Sequence, residues 1–99
     1  MAQFKDTSYR IIGEITGDEI KINQKLVGHI ENNKVTDHDH NVIGYIDGEV
    51  LRNSRDSVVA KFNKGHITDI HDNVLGHYEG GKHTGAGGAA YLTLFKKSA

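Results

Sequence analysis

The chain has no cysteine and no proline, few aromatic residues and almost no net charge. Each shortage closes off a class of answers. Without cysteine there is neither a disulfide framework nor a thiolate metal site, and thiol usage says nothing about redox compartment. Without proline every backbone amide can donate, which suits strands that need all their ladder bonds. Aromatics at 7% and a net charge of −1 supply neither the stacking platform nor the basic excess of a nucleic-acid binder, and Lys82, Lys96 and Lys97 make only a slightly basic end. The longest apolar run, near Ala89 to Phe95, is far too short for a bilayer span, and the first residues lack the basic-then-apolar order of a secretory signal. The expectation is a cytoplasmic protein by default, with no membrane and no nucleic acid among its partners, and 99 residues are enough for one modest core.

What the chain does have is a repeat. An apolar-apolar-small triplet recurs as Ile11-Ile12-Gly13, Leu26-Val27-Gly28, Val42-Ile43-Gly44, Val58-Val59-Ala60 and Val74-Leu75-Gly76, at spacings of 15, 16, 16 and 16 residues. A large apolar residue follows two positions later each time: Ile15, Ile30, Ile46, Phe62 and Tyr78. Turn residues come next, in Thr16-Gly17-Asp18, Glu31-Asn32-Asn33, Asp47-Gly48-Glu49, Asn63-Lys64-Gly65 and Glu79-Gly80-Gly81, with the Gly, Asn and Asp that tolerate positive φ in tight hairpins. Return strands then begin at Ile20, Val35, Leu51 and Ile67. The fifth repeat lacks one, but Phe4-Lys5-Asp6 sits nine residues before Gly13, as Val35-Thr36-Asp37 sits nine before Gly44. A half-repeat at the start that completes a half-repeat at the end predicts closure into a ring, which leaves no edge unpaired. The fold class is therefore all-β: five tandem hairpin repeats closed into a barrel-like ring, the N-terminal strand completing the fifth hairpin.

Alternation along a strand puts Val42, Gly44 and Ile46 on one face. That face is expected to point inward, with Gly13, Gly28, Gly44 and Gly76 as structural glycines where converging hairpins crowd. Ala60 and Phe62 break the pattern in the fourth repeat, so the ring is expected to be less regular there. The other face carries Glu14, His29, Tyr45, Lys61 and His77.

Tandem units of this form, most typically Val42-Ile43-Gly44-Tyr45-Ile46-Asp47-Gly48, with the tail Gly87-Gly88-Ala89-Ala90-Tyr91-Leu92, resemble the bacterial five-fold β-flower proteins over roughly residues 4–95. The resemblance implies a ring of five hairpins. It carries no catalytic residues to transfer.

Residues 1–81 read as the ring and 82–99 as a glycine-rich tether with a short apolar segment packing on it. Ala89-Ala90-Tyr91-Leu92-Thr93-Leu94-Phe95 suits a strand or a short helix equally, and an apolar peptide on a tether can also dock onto a second copy, giving a homo-oligomer. Gly85-Ala86-Gly87-Gly88 is no phosphate loop, since no Lys-Ser or Lys-Thr follows and no βαβ unit surrounds it. Ser8, Ser54 and Ser57 lack a nucleophile elbow.

Seven histidines are the best chemical lead. Asp37-His38-Asp39-His40 lines up four candidate ligands, and His71-Asp72 recurs two repeats on, so His38, His40 and His71 are the candidate metal ligands, suited to zinc, nickel or iron. Neighbours in an extended segment point to opposite faces, so only alternate residues can grip one ion. Asp- and Asn-rich turns also arise from turn geometry alone. His29, Tyr45 and His77 are the candidate residues for a polar small-molecule site, although a solvated strand face looks the same. No cofactor is required by any of this, and a divalent metal is the one candidate. The reading is a non-catalytic scaffold for binding or assembly, against a metal-dependent or acid-base enzyme working through the His/Asp turns.

Overall fold

A computed structural model describes residues 2–95. Ten strands follow one another round a closed antiparallel barrel: β1 (Gln3–Lys5), β2 (Ile11–Thr16), β3 (Glu19–Ile22), β4 (Lys25–Glu31), β5 (Lys34–Asp37), β6 (Val42–Asp47), β7 (Val50–Asn53), β8 (Val58–Asn63), β9 (His66–Thr68) and β10 (Val74–Glu79). Closure is made as the half-repeats require, with β1 pairing β2 on one side and β10 on the other. Four hairpins turn through two-residue loops whose first residue has positive φ: Gly17 (64°), Asn32 (57°), Gly48 (62°) and Lys64 (50°). The second loop residue of each sends its carbonyl to the next hairpin, as in Ile30 N–H to Asp18 O at 2.7 Å and Ile46 N–H to Asn33 O at 2.7 Å. Ala2 does the same for Ile15 at 2.8 Å, so the N-terminal residues stand in for the missing loop.

The inward face differs from strict alternation, and a bulge is the cause. On every first strand the register slips by one residue just before the small residue, leaving Ile12, Val27, Ile43, Val59 and Leu75 as the extra residues. A bulge places two consecutive side chains against one partner residue and bends the strand. It turns these middle residues toward the core, while Ile11, Val42 and Val74, expected inside at least for Val42, are exposed at 58%, 38% and 48%. The slip at Val59 matches the other four, so the expected irregularity at Ala60 is not present in the strand pairing. One residue from each return strand, Phe4, Ile20, Val35, Leu51 and Ile67, is completely buried.

The expected tether is a helix inside the barrel. Gly80 and Gly81, at φ 99° and 118°, turn the chain inward, and α1 (Lys82–Ala90) follows with every residue from Thr84 to Ala90 buried. Backbone N–H and C=O groups in an apolar bore must satisfy one another, and a helix does so without a partner strand. Its three glycines cost about 1 kcal/mol each relative to alanine, but larger residues do not fit. A Cβ on Gly85 would stand 2.8 Å from the Tyr78 ring, and one on Gly88 would stand 2.7 Å from Ile67 and 2.8 Å from Phe4.

The segment left open between strand and helix continues α1 as a π-helical turn, Tyr91–Phe95. Three of its side chains lie over repeat glycines: Leu92 over Gly76, Leu94 over Gly44 and Phe95 over Gly28. Gly13 receives Phe4 and Ile22 instead. At Gly44 a Cβ would also meet the Arg52 carbonyl at 2.7 Å, so the crowding comes from the neighbouring return strand rather than from five hairpins converging.

Between hairpins, four three-residue turns share one design. Asp37 Oδ1 accepts N–H bonds from Asp39 and Asn41, both at 2.9 Å, and Asp69 does so from His71 at 2.8 Å and Asn73 at 2.9 Å. Asp6 and Asn53 hold their turns in the same way. The turn between β3 and β4 has only two residues, Asn23 and Gln24, which accounts for the single 15-residue spacing. Hydrogen bonds from the Asn41 backbone, and less strongly its side chain and Asp39, hold the Asp37 carboxyl below its ordinary pKa. The Asn73 and His71 backbone and the Asn73 side chain do the same for Asp69.

Two predictions follow from these packing and turn contacts. Gly88→Ala improves helix propensity by about 1 kcal/mol, yet its methyl has no room, so the net effect on urea unfolding is a loss of about 1–3 kcal/mol; a raised midpoint would refute the filled bore. A depressed carboxyl pKa contributes stability that is present above the ordinary aspartate range and disappears as pH falls through the lowered value. Asp37→Asn with Asp69→Asn, mimicking Asn53, should therefore keep the fold at pH 7 while weakening the loss of stability on acidification, as followed by circular dichroism from pH 7 to 2. An unchanged acid limb would show that these carboxyls do not drive it.

Candidate functional site

The outer wall, not the bore, carries the reactive side chains. Glu14, His29, Tyr45, Lys61 and His77 occupy equivalent places on β2, β4, β6, β8 and β10. Because neighbouring strands stand about 4.8 Å apart, these five are spread round the wall rather than gathered. Tyr45, for example, sits between Lys34 and Arg52 of the flanking strands, well away from either histidine.

The turns bring some of them a partner. The last residue of each three-residue turn has positive φ, at Tyr9 (64°), His40 (66°), Asp56 (66°) and Asp72 (65°), which throws its side chain back over the wall. His40 stacks on His29 with centroids 4.3 Å apart and planes at 13°. Tyr9 stacks on His77 at 4.1 Å and 5°. Asp72 reaches Lys61 at 3.5 Å.

The His29–His40 stack acquires a carboxylate from its own strand. Glu31 lies two residues beyond His29, on the same face, and its Oε2 is 2.7 Å from His40 Nδ1 and accepts the Thr36 hydroxyl at 3.4 Å. An ionised carboxylate only accepts, so His40 carries its proton on Nδ1 and leaves Nε2 free when neutral. The hydrogen bond from His40 is the main cause of a lowered Glu31 pKa. His29 Nδ1 is buried and has no hydrogen-bond partner among the described residues. His29, Glu31 and His40 present ligand atoms that all lie within 4.8 Å of one another.

Of the three histidines singled out in the turns, His40 alone enters this cluster. His38 is exposed, with Nε2 3.4 Å from Asp39 Oδ2, and His71 is exposed in its own turn two repeats away. His40's partner comes from the other candidate set, His29. Glu31 was missed, although His29-Ile30-Glu31 is an alternation that puts both side chains on one face of a strand. His66 was missed too: it is the cross-strand neighbour of His77, with the two Nδ1 atoms 3.2 Å apart and the rings at 71°.

An open hollow of about 470 Å³ lined by Lys61, His66 and Asp72 lies beside the second group. The larger hollows are open, such as one of about 560 Å³ lined by Leu26, Val27, His38, Tyr91 and Phe95 near the π-helical turn. Among the described residues no helix is long and apolar enough to cross a membrane. No curated protein and no solved structure matches the chain. The family described as "5-fold beta-flower protein" matches residues 1–98, and with five hairpins closed round their own helix, this chain belongs to it.

Proposed function

We propose that the protein is a non-catalytic binding scaffold that takes a divalent transition-metal ion at His29, Glu31 and His40. The observation that carries this reading is the buried, unpartnered His29 Nδ1 beside two further ligand groups. A buried polar nitrogen without a partner costs free energy, and coordination would repay that cost. Two imidazoles and a carboxylate suit zinc, nickel or iron rather than calcium or magnesium.

The stack sets a condition on binding. An imidazole ligates in its own plane, and nearly parallel planes 4.3 Å apart do not meet at one ion. One ring must turn, and His40 is free to do so, since its side chain is 63% exposed. The hollows on this wall are open to solvent, which favours binding over catalysis because water would reach a substrate there.

Zinc titration against a competing chelator, with circular dichroism as a fold control, tests the site. Wild type should bind one equivalent through it. His40→Ala and Glu31→Gln should each raise Kd by at least about tenfold, the size of loss seen even for outer partners of metal ligands, whereas His38→Ala and His71→Ala should not. Protons compete with the metal for imidazole nitrogens, so affinity should fall on acidification. An unchanged number of zinc equivalents in a His29→Ala/His40→Ala protein would overturn the assignment.

A further inference from the structure

The second and fifth repeats share a sequence element, Gly28-His29-Ile30-Glu31 and Gly76-His77-Tyr78-Glu79, that the other three lack. Its surroundings differ at the second occurrence. Tyr9 takes the place of His40 over the strand histidine. Lys5 of β1 holds Glu79 at 2.8 Å, with side chains 19% and 62% exposed respectively, and this bond and charge lower the Glu79 pKa. The added ligand comes from the other side, as His66 of β9.

We infer that His66 and His77 form a second divalent-cation site, a two-imidazole chelate across β9 and β10, taking zinc, nickel or copper(II). Two metal–nitrogen bonds of about 2.0–2.1 Å at a tetrahedral ion place their nitrogens about 3.3 Å apart, and the two Nδ1 atoms stand 3.2 Å apart. Ring planes at 71° avoid the near-parallel stack that keeps the His29 and His40 lone pairs from a common ion. This is the geometry that the parallel His29–His40 pair reaches only by moving. Without metal, one Nδ1 donates to the other; with it, the donor ring shifts its proton to Nε2 and both Nδ1 atoms face the ion. The Tyr9 ring, 4.1 Å from His77 and nearly parallel to it, holds the ligand plane in place.

Lys5 sets the strength of the site. It is the cross-strand neighbour of His77 on the strand that closes the barrel, and its charge is offset by Glu79. Removing the lysine frees Glu79, two residues from His77 on the same face, and so recreates the ligand set of the second repeat.

The test is zinc binding by the full chain in a His29→Ala/His40→Ala background, read by calorimetry and by the shift in Tm. One equivalent should remain. His66→Gln and His77→Ala should each abolish it, with the fold checked by circular dichroism, and Lys5→Ala should tighten it several-fold. The inference is overturned if the background binds no zinc, or if it binds equally well without His66. Loss of all binding in the background with one equivalent in wild type would leave only the first site. Unchanged binding in the background that disappears with His66→Gln would leave only the second.

Discussion

From Gly85 to Ala90 the side chains of α1 are only hydrogen atoms and methyl groups, which the bore of this barrel admits where bulkier ones would clash, since a Cβ on Gly85 or Gly88 would meet Tyr78, Phe62, Ile67 or Phe4 at 2.9 Å or less. That steric match organises the rest. In the buried return-strand ring of Phe4, Ile20, Val35, Leu51 and Ile67, α1 packs against β1, β7 and β9, and Gly87 faces Ile20. The bulges supply a second inward side chain per repeat, Ile12, Val27, Ile43, Val59 or Leu75, which a regular strand would have pointed at solvent. At the end of α1, Leu92, Leu94 and Phe95 settle over three of the repeat glycines, so the glycines that clear the strands also receive the tail.

Much of this was legible because repetition amplifies weak signals. One apolar-apolar-glycine triplet means little, but five at near-constant spacing locate ten strands, and the offset of Phe4 from Gly13 discloses the closing strand. Two errors have physical causes. Glycine's low helix propensity made Gly85-Ala86-Gly87-Gly88 read as a tether, when the absence of side chains is what admits the segment to the bore. Period-two reasoning assigned Val42 to the core because a bulge leaves no mark in residue type: Ile43 and Val42 are equally apolar, and only the register tells them apart.

The histidine clusters were legible only in part. The His-x-Glu alternation is local and was available to inspection at His29 and Glu31. The approach of His40 depends on its adopting φ 66° in a turn built by Asp37, and histidine, although enriched in that conformation, adopts it too rarely for residue type alone to reveal it. His66 meets His77 through strand register, which no spacing rule encodes. The repeat constrains what faces inward. On the outer wall, which the core does not constrain, the same five positions carry glutamate, histidine, tyrosine, lysine and histidine, and the wall is where the repeats differ chemically.

Closure by β1 also bears on how the chain reaches this shape. Nearly every strand pairs with its neighbour in sequence, contacts that form quickly because they close short loops, but Gln3 must find Glu79. The partner of that seam is the last strand, and the helix that fills the bore comes after it. A string of hairpins short of these elements would be an open sheet with an unfilled apolar face, so assembly is concentrated in one late, cooperative step in which seam and plug arrive together.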